Sequence, residues 1–147
     1  MLVKSTRFGP ISADQADIIV FPNGLIGFED TRHWLVLADA ENSDIAWLQS
    51  TAQPQVAIPL VSPRKFLPDY RVTISQRQIE SLRIRTSDRI FVMLVLSKSA
   101  KTLTVNLRGP IIINLTQRLA LQCVMNEPFP LALPLVQSNS GGIRSAA

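Results

Sequence analysis

Apolar positions along this chain come in brief runs of Val, Ile, Leu and Phe, punctuated by ten prolines and six glycines. Such spacing leaves little room for long helices and reads as a β-sandwich or barrel. Ile18-Ile19-Val20-Phe21 runs into Pro22-Asn23-Gly24, where glycine takes a positive φ without steric cost, so a strand ending at a tight turn is predicted. Residues 34–37 and 45–50 flank the polar stretch 39–44 and predict a strand pair with a hairpin loop. In the run 56–61, Pro59 cannot donate to a ladder, which suggests an edge strand or a bulge. Residues 90–96 are apolar without alternation, the mark of a strand covered on both faces and the best candidate for the centre of the core. Leu103, Val105 and Leu107 alternate with Thr104 and Asn106, so the first three are expected inward and the other two outward. The loop 97–102 would make a hairpin of these two strands. Ile111-Ile112-Ile113 is β-branched and of buried character, and Leu119, Leu121 and Cys123 alternate behind it, as a strand or alternatively a helical turn.

One helix signal stands out. Ser75 can cap and Gln78 follows three residues on, the arrangement of a capping box, with Ile74 and Ile79 placed as a hydrophobic staple. A short helix over residues 75–83, with Leu82 on the same face, is expected against the β core. Residues 137–142 offer nothing to bury, so a mobile end is expected. At 147 residues the chain suits one domain that buries roughly 70% of the surface its unfolded form exposes. The expectation is all-β: a single antiparallel β-barrel-like domain over residues 1–136, with one or two short helices, and a flexible tail over 137–147.

Charge sharpens this picture without settling it. Net charge is +4, but residues 1–63 carry seven acids against three bases, or −4, and residues 64–118 carry eleven bases against three acids, or +8. The asymmetry hints at a dipolar protein. Lys4 and Arg7 near the start are followed by no apolar stretch, and the run 90–96 is far short of the ~20 residues a membrane helix needs. An unexported, soluble protein without membrane partners is therefore expected. Cys123 and His33 are the only residues of their kinds, so no internal disulfide can form and a Cys/His metal cluster lacks ligands, which suits a reducing compartment. Asn114-Leu115-Thr116 matches a glycosylation acceptor, a chance match where no secretory signal precedes it.

Catalytic chemistry is thin. A nucleophile needs a base and the base an orienting group, yet His33 stands alone beside Trp34 at the start of an expected strand. Cys123, alternating with Leu119 and Leu121, reads as a small buried hydrophobe. The carboxylate pairs Asp14/Asp17 and Glu41/Asp44 fall in polar turns, where solvation is the usual state. Gly24 and Gly27 are followed by no Lys-Ser or Lys-Thr, so a phosphate loop is excluded. Arg83, Arg85 and Arg89 raise a second reading, a small barrel binding single-stranded nucleic acid such as RNA. That reading needs exposed aromatics, and Phe91, inside an apolar run, is expected in the core. A hydrolase built on His33 ranks last.

Residues 19–30, Ile-Val-Phe-Pro-Asn-Gly-Leu-Ile-Gly-Phe-Glu-Asp, resemble the F-P-x-G-I-x-G-F-E segment of the flagellar assembly factor FliW family. Trp47-Leu48-Gln49-Ser50, Phe66-Leu67-Pro68-Asp69-Tyr70 and residues 105–114 resemble, in order, that family's L-Q-S, P-D-Y and N-L-x-x-P-I-x-I-N stretches. The resemblance implies a compact antiparallel barrel in the cytoplasm, with no catalysis and no cofactor. It also implies two mutually exclusive partners: flagellin, and CsrA, a small basic RNA-binding repressor of translation. Within that frame Phe21, Pro22, Gly24, Gly27 and Phe28 are expected to shape the fold, while Glu29 and Asp30 are placed to meet a basic partner. Phe66, Asp69 and Tyr70 lie in a proline-flanked loop, where an exposed aromatic would suit an interface centre. Asn106 could pair with an added extended peptide. Many relatives are acidic and this chain is basic, so Glu29, Asp30, Asp39, Glu41 and Asp44 are expected to form a local acidic patch for CsrA.

Overall fold

The computed structural model describes residues 1–99, 101–137 and 143–145. Its strands are β1 (Leu2–Val3), β2 (Ile11–Ser12), β3 (Ile19–Val20), β4 (His33–Ala38), β5 (Ile45–Ser50) and β6 (Ala57–Val61). After these come β7 (Ile90–Ser99), β8 (Thr102–Val105), β9 (Ile111–Asn114), β10 (Leu119–Gln122), β11 (Leu133–Gln137) and β12 (Ile143–Ser145). The helix α1 spans Gln76–Ser81, and 3-10 turns occupy Gln15–Asp17 and Pro63–Lys65. Seven strands close a barrel in the order β7-β6-β5-β4-β3-β10-β9, with β9 pairing back onto β7. All these pairs are antiparallel except β3 with β10, which is parallel through Leu119 and Val20.

The alternation along these strands divides the core by face. Ile19, Phe21, Leu25, Trp34, Leu48, Leu60, Ile111, Ile113 and Ala120 fill the barrel, and burying each large side chain stabilises by roughly 1.5–3 kcal/mol. Outside it, the β1–β2 ribbon covers Ile18 and Leu35, α1 delivers Leu82 onto Ile112, Leu121 and Cys123, and β8 and β11 extend β7 over Val61, Phe66 and Leu94. Among the described residues, no helix is long and apolar enough to cross a membrane.

The β4–β5 hairpin forms as its sequence predicts, from Trp34 opposite Ser50 to Ala38 opposite Ala46. Ser75 caps α1 and exchanges hydrogen bonds with Gln78, completing the capping box. Ile79 stays 36% exposed, and Leu82 at the C-cap is the residue the helix buries.

Three expectations need correction. Strand β6 is not an edge strand: it lies between β5 and β7, and Pro59 is tolerated because pairing with β7 begins only at Leu60. Burial of 90–96 holds for Leu94 and Leu96, but Ile90 and Phe91 are 37% and 42% exposed. The cause is an overhang, since β7 meets β9 at residues 90–93 and β6 only from Leu94, leaving its first residues without a neighbour on one side. Strand β8 ends at Val105, so Asn106 is a turn residue, and the β7–β8 pairing already includes residues 97–99, shortening the expected loop. Of the two alternatives for residues 119–122, the strand forms, because they pair with all four residues of β9. Of the expected tail, residues 138–142 and 146–147 lie outside the described residues, while Ile143–Ser145 pairs with β11.

Candidate functional site

The turn after β3 is built from residues that leave it no freedom. Gly24 has φ +74, and a Cβ there would stand 2.6 Å from the Glu29 carbonyl oxygen, so only glycine fits. Gly27 has φ +89. Leu25 and Phe28 bridge each other; Leu25 is buried in the barrel, and Phe28 packs edge-on against Trp34 with ring centroids 6.1 Å apart. The Glu29 carboxylate accepts from the Gly27 N–H at 3.1 Å, and hydrogen bonds from Gly27 and from its own backbone N–H hold its pKa below the ordinary value.

Between these two anchors the turn presents Ile26 to solvent, 62% exposed. Its backbone N–H is held by the Gln122 side-chain oxygen at 2.9 Å, and the Gln122 amide donates in turn to the Gly109 carbonyl at 3.0 Å. Val124, two residues beyond Gln122, is 69% exposed. Ile26, Val124, Gln122 and α1 line a groove of about 220 Å³, with Glu29 and Arg77 as its charged rim. Two exposed aliphatic side chains, Ile26 and Val124, set beside one groove on a turn held by hydrogen bonds fit a contact site. A larger hollow of about 340 Å³ beside the β1–β2 ribbon shares only Ile19 with the four resembling segments, so it carries the weaker claim.

The residues singled out from sequence do not gather into one patch. Glu29 and Asp30 precede the start of β4, while Asp39, Glu41 and Asp44 follow its end, about 20 Å away along a six-residue strand. Three of the acids are committed locally. Besides Glu29, Asp39 accepts from the N–H groups of Glu41 and Asn42 and from the Trp47 indole at 2.9 Å; the indole bond is the chief cause of its lowered pKa. Asp44 pairs with Lys65 at 2.6 Å. Among the described residues, Asp30, Glu41 and Asp69 have no side-chain hydrogen bond or ion pair and are exposed.

Phe66 is buried among Val61, Leu94 and Leu107. Tyr70 donates to the Leu107 carbonyl at 2.6 Å and packs against Phe129 with ring centroids 5.4 Å apart, tilted by 54°; burial pushes its pKa up to about 12. The Asn106 side-chain oxygen accepts from Arg108 and Gly109, which fixes the turn into β9. Gln49 and Asn114, fully buried members of the resembling segments, hold backbone: Gln49 donates to the Ser50 carbonyl and accepts from Ser5, and Asn114 donates to the Leu82 carbonyl and to Asp88. His33 is exposed, and Cys123 is buried, with its thiol pKa raised to about 11 by desolvation. Among the described residues no three metal-ligating side chains converge. Sequence reasoning passed over Ile26 and Val124, since the neighbouring Leu25, in the same turn, is buried and the local sequence does not separate the two.

Comparison with known proteins points in one direction. Residues 2–135 match the model of the family described as FliW protein. The Flagellar assembly factor FliW of Bdellovibrio bacteriovorus is 33% identical over 129 residues, covering 86% of this chain and 74% of its own length. That of Clostridium tetani is 32% identical over 143 residues, covering 95% and 99%. A crystal structure of the flagellar assembly factor FliW superposes with a TM-score of 0.82 at 24% identity, over 91% of this chain and 96% of that one; it shares the fold.

Proposed function

Because the chain belongs to the FliW family, we propose that it is a non-enzymatic, cytoplasmic assembly factor that binds flagellin and exchanges it for a CsrA-type translational repressor. Such an exchange would couple flagellin synthesis to assembly. The observation that carries the reading is the locked turn that holds Ile26 in solvent beside Val124. A filament subunit kept from assembling exposes apolar surface of its own, and a pre-ordered apolar contact covers it at little entropic cost. A basic repressor would meet the free carboxylate of Asp30 on the same turn, so the two partners would compete for one region. Of the other acids singled out from sequence, the free Glu41 and Asp69 lie elsewhere and would supply weaker, longer-range attraction.

The test is a titration of the purified protein against flagellin and the repressor of its own organism, singly and in competition, at low and high salt. Binding of both, with displacement of one by the other and a steeper salt dependence for the repressor, supports the reading. Simultaneous binding of both defeats the exchange, and binding of neither defeats the function.

A further inference from the structure

At the barrel end opposite Ile26, the segment from Leu82 to Phe91 is pinned to the turn between β9 and β10. The Asp88 carboxylate accepts from the Arg85 N–H, the Asn114 amide and the Gln117 amide. Arg89 donates its N–H to the Thr116 hydroxyl, and its carbonyl accepts from the Leu115 N–H. Held in this way, the segment exposes Ile84 (43%), Ile90 and Phe91, with the Arg89 guanidinium 5.9 Å from the Phe91 ring. Arg83, Arg85 and Arg89 are exposed and make no ion pair among the described residues. The one acid on the segment, Asp88, is spent on holding the backbone.

The geometry points to a second docking surface here, for an acidic polypeptide segment that carries apolar side chains. Three unpaired guanidiniums select negative charge, and the exposed Phe91 ring beside Arg89 supplies apolar contact area. A nucleic-acid strand fits less well: a single ring already capped by Arg89 gives one stacking platform, and exposed isoleucines give bases nothing to stack on. The surface also repels a basic repressor, so its occupant differs from that of the Asp30 region. The inference goes beyond the proposed exchange at the Ile26 turn and stands apart from it.

The experiment follows fluorescence anisotropy of a labelled amphipathic peptide of Glu, Leu and Ala added to the full chain. Parallel probes are the same peptide with Lys for Glu, the same with Ser for Leu, and a labelled oligo(dT). Saturable binding of the Glu-Leu peptide alone is expected, about tenfold weaker in both R85Q/R89Q and F91S and unchanged in R77E, which alters the other groove. Circular dichroism checks that each variant is folded, and the two patch variants remove different chemistry from exposed positions. The inference is overturned by no binding, by equal binding of the Lys or Ser peptide, by tighter binding of oligo(dT), or by a loss in R77E alone.

Discussion

Gly24 and Gly27 share a turn and a positive φ, yet substitution should separate them. Alanine at Gly24 meets the Glu29 backbone at 2.6 Å as well as the strained φ, and should cost about 2–4 kcal/mol. Alanine at Gly27 finds nothing within 4 Å and should cost about 1 kcal/mol. Urea unfolding of both variants measures the difference. Ile26→Ser, at a position 62% exposed, should change stability by less than about 0.5 kcal/mol while weakening flagellin binding about tenfold or more; calorimetry with flagellin reads the second effect. Asp39 and Asp88 both have pKa values lowered by hydrogen bonds, chiefly from Trp47 and Asn114 respectively. A carboxyl that binds its proton more weakly when folded adds stability in full above its unfolded pKa, near 4, and loses it as pH falls through the folded value. Trp47→Phe removes one such bond and should flatten the fall of stability between about pH 5 and 2, measured as unfolding midpoint against pH.

At the scale of elements, the short pieces depend on polar ties as much as on packing. Helix α1 has six residues, too few to persist alone, so its capping box and the burial of Leu82 carry it. Ser75→Ala should cost about 1 kcal/mol, and Asn114→Ala, which frees the Leu82 carbonyl and loosens Asp88, about 2–3 kcal/mol. Thermal unfolding ranks the two, with Asn114 the more severe. These elements also show what was legible in the sequence. The β4–β5 hairpin, the capping box and the strand β9 announce themselves by local periodicity and turn chemistry, which act within a few residues. Burial of Phe91 and the strand placement of Asn106 were misread, since each depends on where a neighbouring strand begins or ends. The candidate site was legible only in part: Glu29, Asp30 and the turn glycines stand in the right segment, while Ile26 and Val124 become one surface only when β10 is brought beside the β3–β4 turn.

For the whole molecule, the barrel divides its charged groups between two ends, since the end of β4 and the start of β7 share one and the start of β4 lies at the other. Glu29 and Asp30 lie at the start of β4, Asp39, Glu41 and Asp44 at its end, and Arg83, Arg85 and Arg89 beside the overhang of β7. Glu41→Lys should therefore slow repressor association less than Asp30→Lys at low salt, and the gap should close as salt rises; stopped-flow association rates decide it. What the sequence determined by itself was the class of fold, the family, the turns and the cap, because short apolar runs, glycine, proline and capping residues act through local sterics and hydrogen bonds. Closure of the ladder was decided only in the tertiary structure. It turned an apparent acidic cluster into two ends of one strand and set Phe66, Gln49 and Asn114 to holding the core. It also left Ile26 and Phe91 in water, because burial is a property of what lies across the barrel and not of the residues beside a position in the chain.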